Sequence, residues 1–165
     1  MREAPHPASA RIRDVTRAAR CAYLPRMNQL RALEAPAALL GRLLLALIFV
    51  VDGWELLANY SGSQGYMEAN GVPGQLLPLA ILTEIAGGLL VAFGLLTRLA
   101  AIALAGFCVL TALLFHRNFA DVEHLEMVHF MKDLAIAGGF LTLAAHGAGA
   151  WSLDAWRMGR RPMDR

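Results

Sequence analysis

Charge is scarce in this chain: Asp, Glu, Lys and Arg make up 17% of its 165 residues, too few to cover the surface of an ordinary soluble domain. Cysteine is scarcer still. Cys21 and Cys108 are the only two, and neither belongs to a C-x-x-C pair. One falls in the leading arm and the other inside an apolar run, so no disulfide between them is expected and dithiol relay chemistry is disfavoured. Nothing resembles a phosphate loop, a nucleophile elbow or a dinucleotide fingerprint. His116, Glu123, His124, Glu126 and His129 lie near one another in sequence but lack a metal-ligand spacing, so no metal is expected. Nucleic-acid binding has no support beyond an arginine-rich arm.

What the chain has is apolar length. Hydrophobic residues make up 57% of it, with mean hydropathy +0.47. Four runs, residues 37–57, 76–96, 99–115 and 128–145, each reach the roughly 17–25 residues that cross a bilayer core. A soluble bundle of such helices would have to hide apolar surface on every side. The expected fold is therefore all-α, an integral-membrane four-helix bundle. Only an arm, short loops and a tail remain outside the spans, so any chemistry is expected in or beside the membrane.

Thirteen of the 15 Lys and Arg residues lie at or before Arg42, at Arg98, or after Trp151. The positive-inside rule then puts both termini and the Arg98 turn in the cytoplasm. The loops 58–75 and 116–127 face outward. Residues 1–36 read as a basic, disordered arm whose arginines touch anionic headgroups, a transit or signal peptide being the weaker alternative. Met27 opens a segment leading straight into the first span and competes with Met1 as the natural start. The spans and their loops fill residues 37–154, and residues 155–165 form a basic tail with Trp151 and Trp156 as interfacial anchors.

Asn59–Gln75 reads as a Gly, Ser and Asn-rich loop with a turn at Gly71–Gly74, and Thr97-Arg98 as a tight hairpin. His146-Gly147-Ala148-Gly149 stops the fourth span, with His146 as a cap. Gly87-Gly88 and Gly138-Gly139 fall at similar depth and mark packing seams, within one copy or between copies of a homo-oligomer. They also suggest an old two-helix duplication, which the flanking residues do not support.

The intramembrane charges are the candidate site. His129, Lys132 and Asp133 share one face of the fourth span at i, i+3 and i+4. Asp52 and Glu55 are three apart on the first, and Glu84 shares a face with the glycine pair of the second. At about 1.5 Å per residue, Asp52, Glu84 and Lys132 all lie roughly 6–12 Å inside the outer ends of their spans. Four carboxylates facing one lysine and one histidine cannot all be ionised in a low-dielectric site. Two readings follow. One is a proton-handling or ligand pocket; the other is an internal salt bridge of Lys132 with Glu84 or Asp133 that fixes helix register. Arg42 reads as snorkelling to the inner headgroups.

At Gly41-Arg42-Leu43-Leu44-Leu45-Ala46-Leu47-Ile48-Phe49 the chain resembles the first span of the DoxX family. The likeness continues through Gly65-Tyr66-Met67, Glu84-Ile85-Ala86-Gly87-Gly88, Thr97-Arg98-Leu99-Ala100-Ala101 and Leu113-Leu114-Phe115-His116. It closes with His129-Phe130-Met131-Lys132-Asp133-Leu134-Ala135 and Ala144-Ala145-His146-Gly147, covering about residues 37–154. The resemblance implies a four-helix protein of the bacterial inner membrane. It also implies association with quinone-linked sulfur oxidation, with oxidative-stress complexes, or with no known activity. Arg42, Glu84, His129 and Lys132 match the family's polar positions. Glu55 stands where relatives commonly have lysine, and Asp133 where they commonly have asparagine, so this pocket is more acidic. Under the resemblance, the expected role is membrane subunit of a quinone-linked oxidoreductase complex. Quinone is then the cofactor, bonded by Lys132 or His129, with Glu84 relaying protons. A non-enzymatic scaffold recruiting a soluble redox or stress-response partner is the alternative. A small transporter is weaker, since no span reads as discontinuous.

Overall fold

The computed structural model describes the backbone of residues 7–116 and 125–159 and the side chains of residues 32–116 and 126–159. The chain divides into two units, residues 1–37 and 38–165, and the packing and the site belong to the second. Helix α1 is Pro7–Ala58, so it includes most of the stretch read as a basic arm. Helix α2 is Tyr60–Ala69, α3 Leu77–Phe93, α4 Thr97–Phe115, α5 Leu125–His146 and α6 Leu153–Arg157. No strand occurs among the described residues.

Four stretches are long and apolar enough to cross a membrane: Ala32–Ala58, Gly74–Phe93, Thr97–Phe115 and Glu126–His146. They match the four expected runs to within a few residues. Their packing is that of helices in lipid. The core between them is built mainly from small residues and two phenylalanines, Ala46, Ala100, Ala101, Ala105 and Ala137 around Phe49 and Phe140. Large residues such as Leu40, Leu44, Leu47, Leu82 and Leu141 point outward. Hydrocarbon solvates leucine well, so close backbone approach, not leucine burial, decides which residues face inward. Phe49 meets Phe140 edge-on at 5.3 Å and Phe107 at 6.5 Å, joining α1, α4 and α5.

Glycine sets the closest approaches. A Cβ on Gly88 would lie 3.0 Å from Val50 Cγ2 and 3.2 Å from the Ala46 carbonyl oxygen, which seats α3 on α1. One on Gly87 would lie 2.9 Å from Leu104 Cδ2 on α4, and one on Gly139 would lie 3.2 Å from Leu45 Cδ2 on α1. Gly87, Gly88 and Gly139 thus make close contacts within one copy. Gly138 has nothing within 4 Å of the same position.

Two expectations change. The Gly, Ser and Asn-rich loop is helix α2, held because Met67 is buried with Val72, Leu77 and Ile81 while Tyr60 packs beside them. Burial of one face outweighs the poor helix propensity of its Gly and Ser residues. The hairpin between the second and third spans sits three residues earlier than expected. Its turn is Gly94–Leu96, and Thr97 and Arg98 already belong to the first turn of α4. Gly94 closes α3 at φ +67°, and a Cβ there would also lie 2.8 Å from the Arg42 guanidinium. α5 ends at His146, as expected, with Gly147 at φ +81°.

Candidate functional site

At the α2 end of the bundle, α1 to α5 enclose a cavity of about 720 Å³. Most of its wall is apolar, including Ile48, Phe49, Phe107, Leu110, Leu114 and Ile136. Into it project Asp52 and Glu55 from α1, Glu84 from α3, and Lys132 and Asp133 from α5. Five of the six expected residues thus meet in one place. The sixth, His129, stacks on His116 with ring centroids 5.1 Å apart, and it is His116 that lines the cavity.

Gly53 makes the meeting possible. A Cβ there would fall 2.7 Å from Ile85 Cγ1 and 3.1 Å from Glu84 Cβ, so only glycine lets α1 press on α3 at this level. That contact brings Asp52 close enough to Glu84 for their charges to interact. Asp52 is similarly within electrostatic reach of Lys132, Glu55 and Asp133.

Glu84 is the most constrained member. It is 8% exposed, and its Oε2 is buried with no hydrogen-bond partner. A buried polar atom left unmatched costs about 1–3 kcal/mol, so a group retained this way signals a ligand, a proton or water to meet it. Among the described residues, Lys132 forms no ion pair within 4 Å with Glu84 or Asp133. The internal salt bridge weighed from the sequence is absent from the structure. Asp133 Oδ2 has only a long contact, 3.5 Å, from the Thr111 hydroxyl.

At the cavity's edge, His116 Nδ1 lies 2.9 Å from Glu126 Oε2. Tyr66 stacks on Phe115 at 5.5 Å. Its burial, helped by the nearby Glu126 charge, pushes the Tyr66 phenol above its ordinary value. His116, His129 and Glu126 do not form a metal-holding cluster with a further His, Cys, Asp or Glu among the described residues. Glu123 and His124 lie outside them.

At the opposite end the structure corrects the role expected of Arg42 and adds one for Asp154, which the sequence did not single out. Arg42 does not snorkel: it is 2% exposed. Its Nε donates to Ala92 O at 3.3 Å, Nη1 to Ala148 O and Nη2 to Trp151 O at 2.8 Å. One guanidinium thus serves carbonyls at the C-terminal end of α3 and in the turn after α5, where unpaired oxygens gather. Asp154 does the converse for α4. Its Oδ1 accepts from Leu96 N at 2.9 Å, and its Oδ2 from Thr97 N at 2.9 Å and Thr97 Oγ1 at 2.8 Å. Burial alone would raise its carboxyl, but these donors, aided by Arg157, hold it below the usual carboxylate range.

Four membrane-length helices, a lipid-facing surface of large apolar residues and a charged cavity at one end define a small polytopic membrane protein. The DoxX profile matches residues 37–117. The Escherichia coli inner membrane protein YqjF is 50% identical over 125 residues, 76% of this chain and 95% of that protein. The E. coli inner membrane protein YphA is 33% identical over 138 residues, 78% of this chain and 99% of that one. An uncharacterized membrane protein of Mycobacterium tuberculosis, Rv3486, is 36% identical over 137 residues, 76% and 83% of the two chains. No solved structure matches. The chain belongs to the DoxX family of multi-pass bacterial inner-membrane proteins.

Proposed function

We propose that this protein is the membrane subunit of a quinone-linked oxidoreductase complex, with the cavity at the α2 end holding the quinone headgroup. The observation that carries this reading is Glu84, a buried carboxyl with an unmatched oxygen in an otherwise largely apolar chamber. Lys132 supports it as a cation lining the same chamber with no ion pair within 4 Å. The residues fit a quinone: Lys132 offers N–H donors to a ring carbonyl, and a protonated Glu84 offers an O–H to another. Phe49 and Phe107 supply flat apolar walls. When bound, a quinone supplies a two-electron, two-proton acceptor. The chain's part is to bind and orient the ring, exclude water and hold a proton at Glu84.

The distribution of arginine supports a topology with both termini cytoplasmic, which puts the cavity in the outer half of the bilayer. His129 enters this scheme through its stack on His116 and not as a direct donor.

Binding of a short-tailed quinone to the full chain in nanodiscs tests the assignment. Glu84→Leu and Lys132→Met, each of which removes the donor, should each weaken it by about tenfold, the scale of one hydrogen bond. Unchanged affinity in both variants, each shown to be folded, would refute it.

A further inference from the structure

We infer that the cavity opens sideways into the hydrocarbon between α3 and α4, and that its ligand is an amphiphile whose long prenyl or acyl tail leaves through that gap. This rests on the headgroup reading above and adds the route and the chemistry of the tail.

The geometry starts at the turn. α3 and α4 are joined by Gly94–Leu96 and press together midway, where Gly87 meets Leu104. Beyond that contact, toward the α2 end, Leu79 and Thr83 on α3 and Leu110 and Leu114 on α4 line the cavity. Leu79 is 61% exposed and Leu110 52% exposed. A leucine that lines a chamber and is also more than half exposed stands at its mouth. Leu79 lies five residues inside the span that starts at Gly74, and Leu110 five from the end of the span at Phe115. At 1.5 Å per residue both sit about 8 Å inside the span ends, at hydrocarbon depth and below the headgroups.

The opposite rim has the other chemistry. Asp52, Glu55 and Lys132, on α1 and α5, are exposed as well as cavity-lining. The chamber therefore has a polar edge and an apolar mouth, with Glu84 buried among its walls. A wholly polar solute has no matching surface at the leucines, and a pure hydrocarbon leaves Glu84 and Lys132 unmet. A molecule with a carbonyl-bearing head and a long apolar tail satisfies both ends in one orientation.

The test compares short-tailed and long-tailed quinones on the full chain in nanodiscs. Concentration is expressed as mole fraction in the bilayer, so that partitioning cancels. Leu79→Trp and Leu110→Trp should weaken the long-tailed quinone by about tenfold. The short-tailed one should stay within about twofold of wild type. Leu82→Trp, on the exposed face of α3 away from the cavity, should change neither. Equal long-tail affinity in wild type and mouth variants overturns the gap, as does equal weakening of both quinones, which would mean that tryptophan fills the headgroup site. Wild type that binds neither quinone removes the headgroup reading itself. A second measurement needs no variant: a photoreactive group at the tail end should label peptides from α3 and α4. Labelling confined to α1 and α5 overturns the proposal.

Discussion

Arg42 and Asp154 show how single residues hold the α6 end together. Three backbone carbonyls, 50 to 109 positions away in sequence, accept from one buried guanidinium. Arg42→Met should destabilise the protein by about 3 kcal/mol or more, because each oxygen it deserts is left unmatched. Arg42→Lys should recover only part of this, since an ammonium lacks the planar fork. Thermal unfolding in detergent measures both. Asp154 adds a pH dependence. Its carboxyl is held below its ordinary value of 3.8, so the capping it gives α4 is fully present above that value. The stabilisation is lost as pH falls through its folded value. Melting temperature should therefore drop in acid for wild type, with a smaller drop for Asp154→Asn; identical profiles would contradict the assignment. Neither role was legible in the sequence. Hydrophobic periodicity records which face a residue takes, not which distant carbonyl it reaches, and an arginine near a span end looks the same whether it snorkels or caps.

Among the elements, helices were legible where apolar length was the signal and misread where composition was. The spans declared themselves because only about 20 apolar residues in helix can satisfy their own backbone across a bilayer. α2 did not, because its Gly and Ser residues describe a loop locally while Met67 and Tyr60 find cover only in the assembled bundle. The glycine seams separate in the same way. Gly88→Ala should cost about 1–3 kcal/mol, since its new methyl meets Val50 and the unyielding Ala46 carbonyl. Gly138→Ala, with open space at that position, should be neutral or slightly stabilising. Unfolding of the two variants side by side checks the contrast; equal losses would mean that α3 and α1 do not touch as described.

At the scale of the molecule, the second unit is a bundle closed by caps at the α6 end and hollow at the α2 end. The sequence revealed which charges lay at one depth, because span ends and helical rise fix that. It did not reveal that Lys132 would stay without an ion pair or that Gly53 would bring Asp52 up to Glu84, since both depend on how the helices lean together. The orientation proposed from the arginines is open to direct test. With Cys21 and Cys108 replaced by serine, Ser61→Cys on α2 should react with a membrane-impermeant thiol reagent in intact spheroplasts, and Ser152→Cys only after lysis. The reverse pattern would turn the cavity toward the cytoplasm.

The central claim, that the hollow end holds a lipid-phase quinone at Glu84 and Lys132, is tested most directly by what the protein carries out of its own membrane. Wild type and Lys132→Met would be purified gently in parallel and their extracted quinone quantified against protein. Quinone near one per chain in wild type and largely lost in Lys132→Met is the expected result. Quinone absent from both, or equally abundant in both, would contradict it.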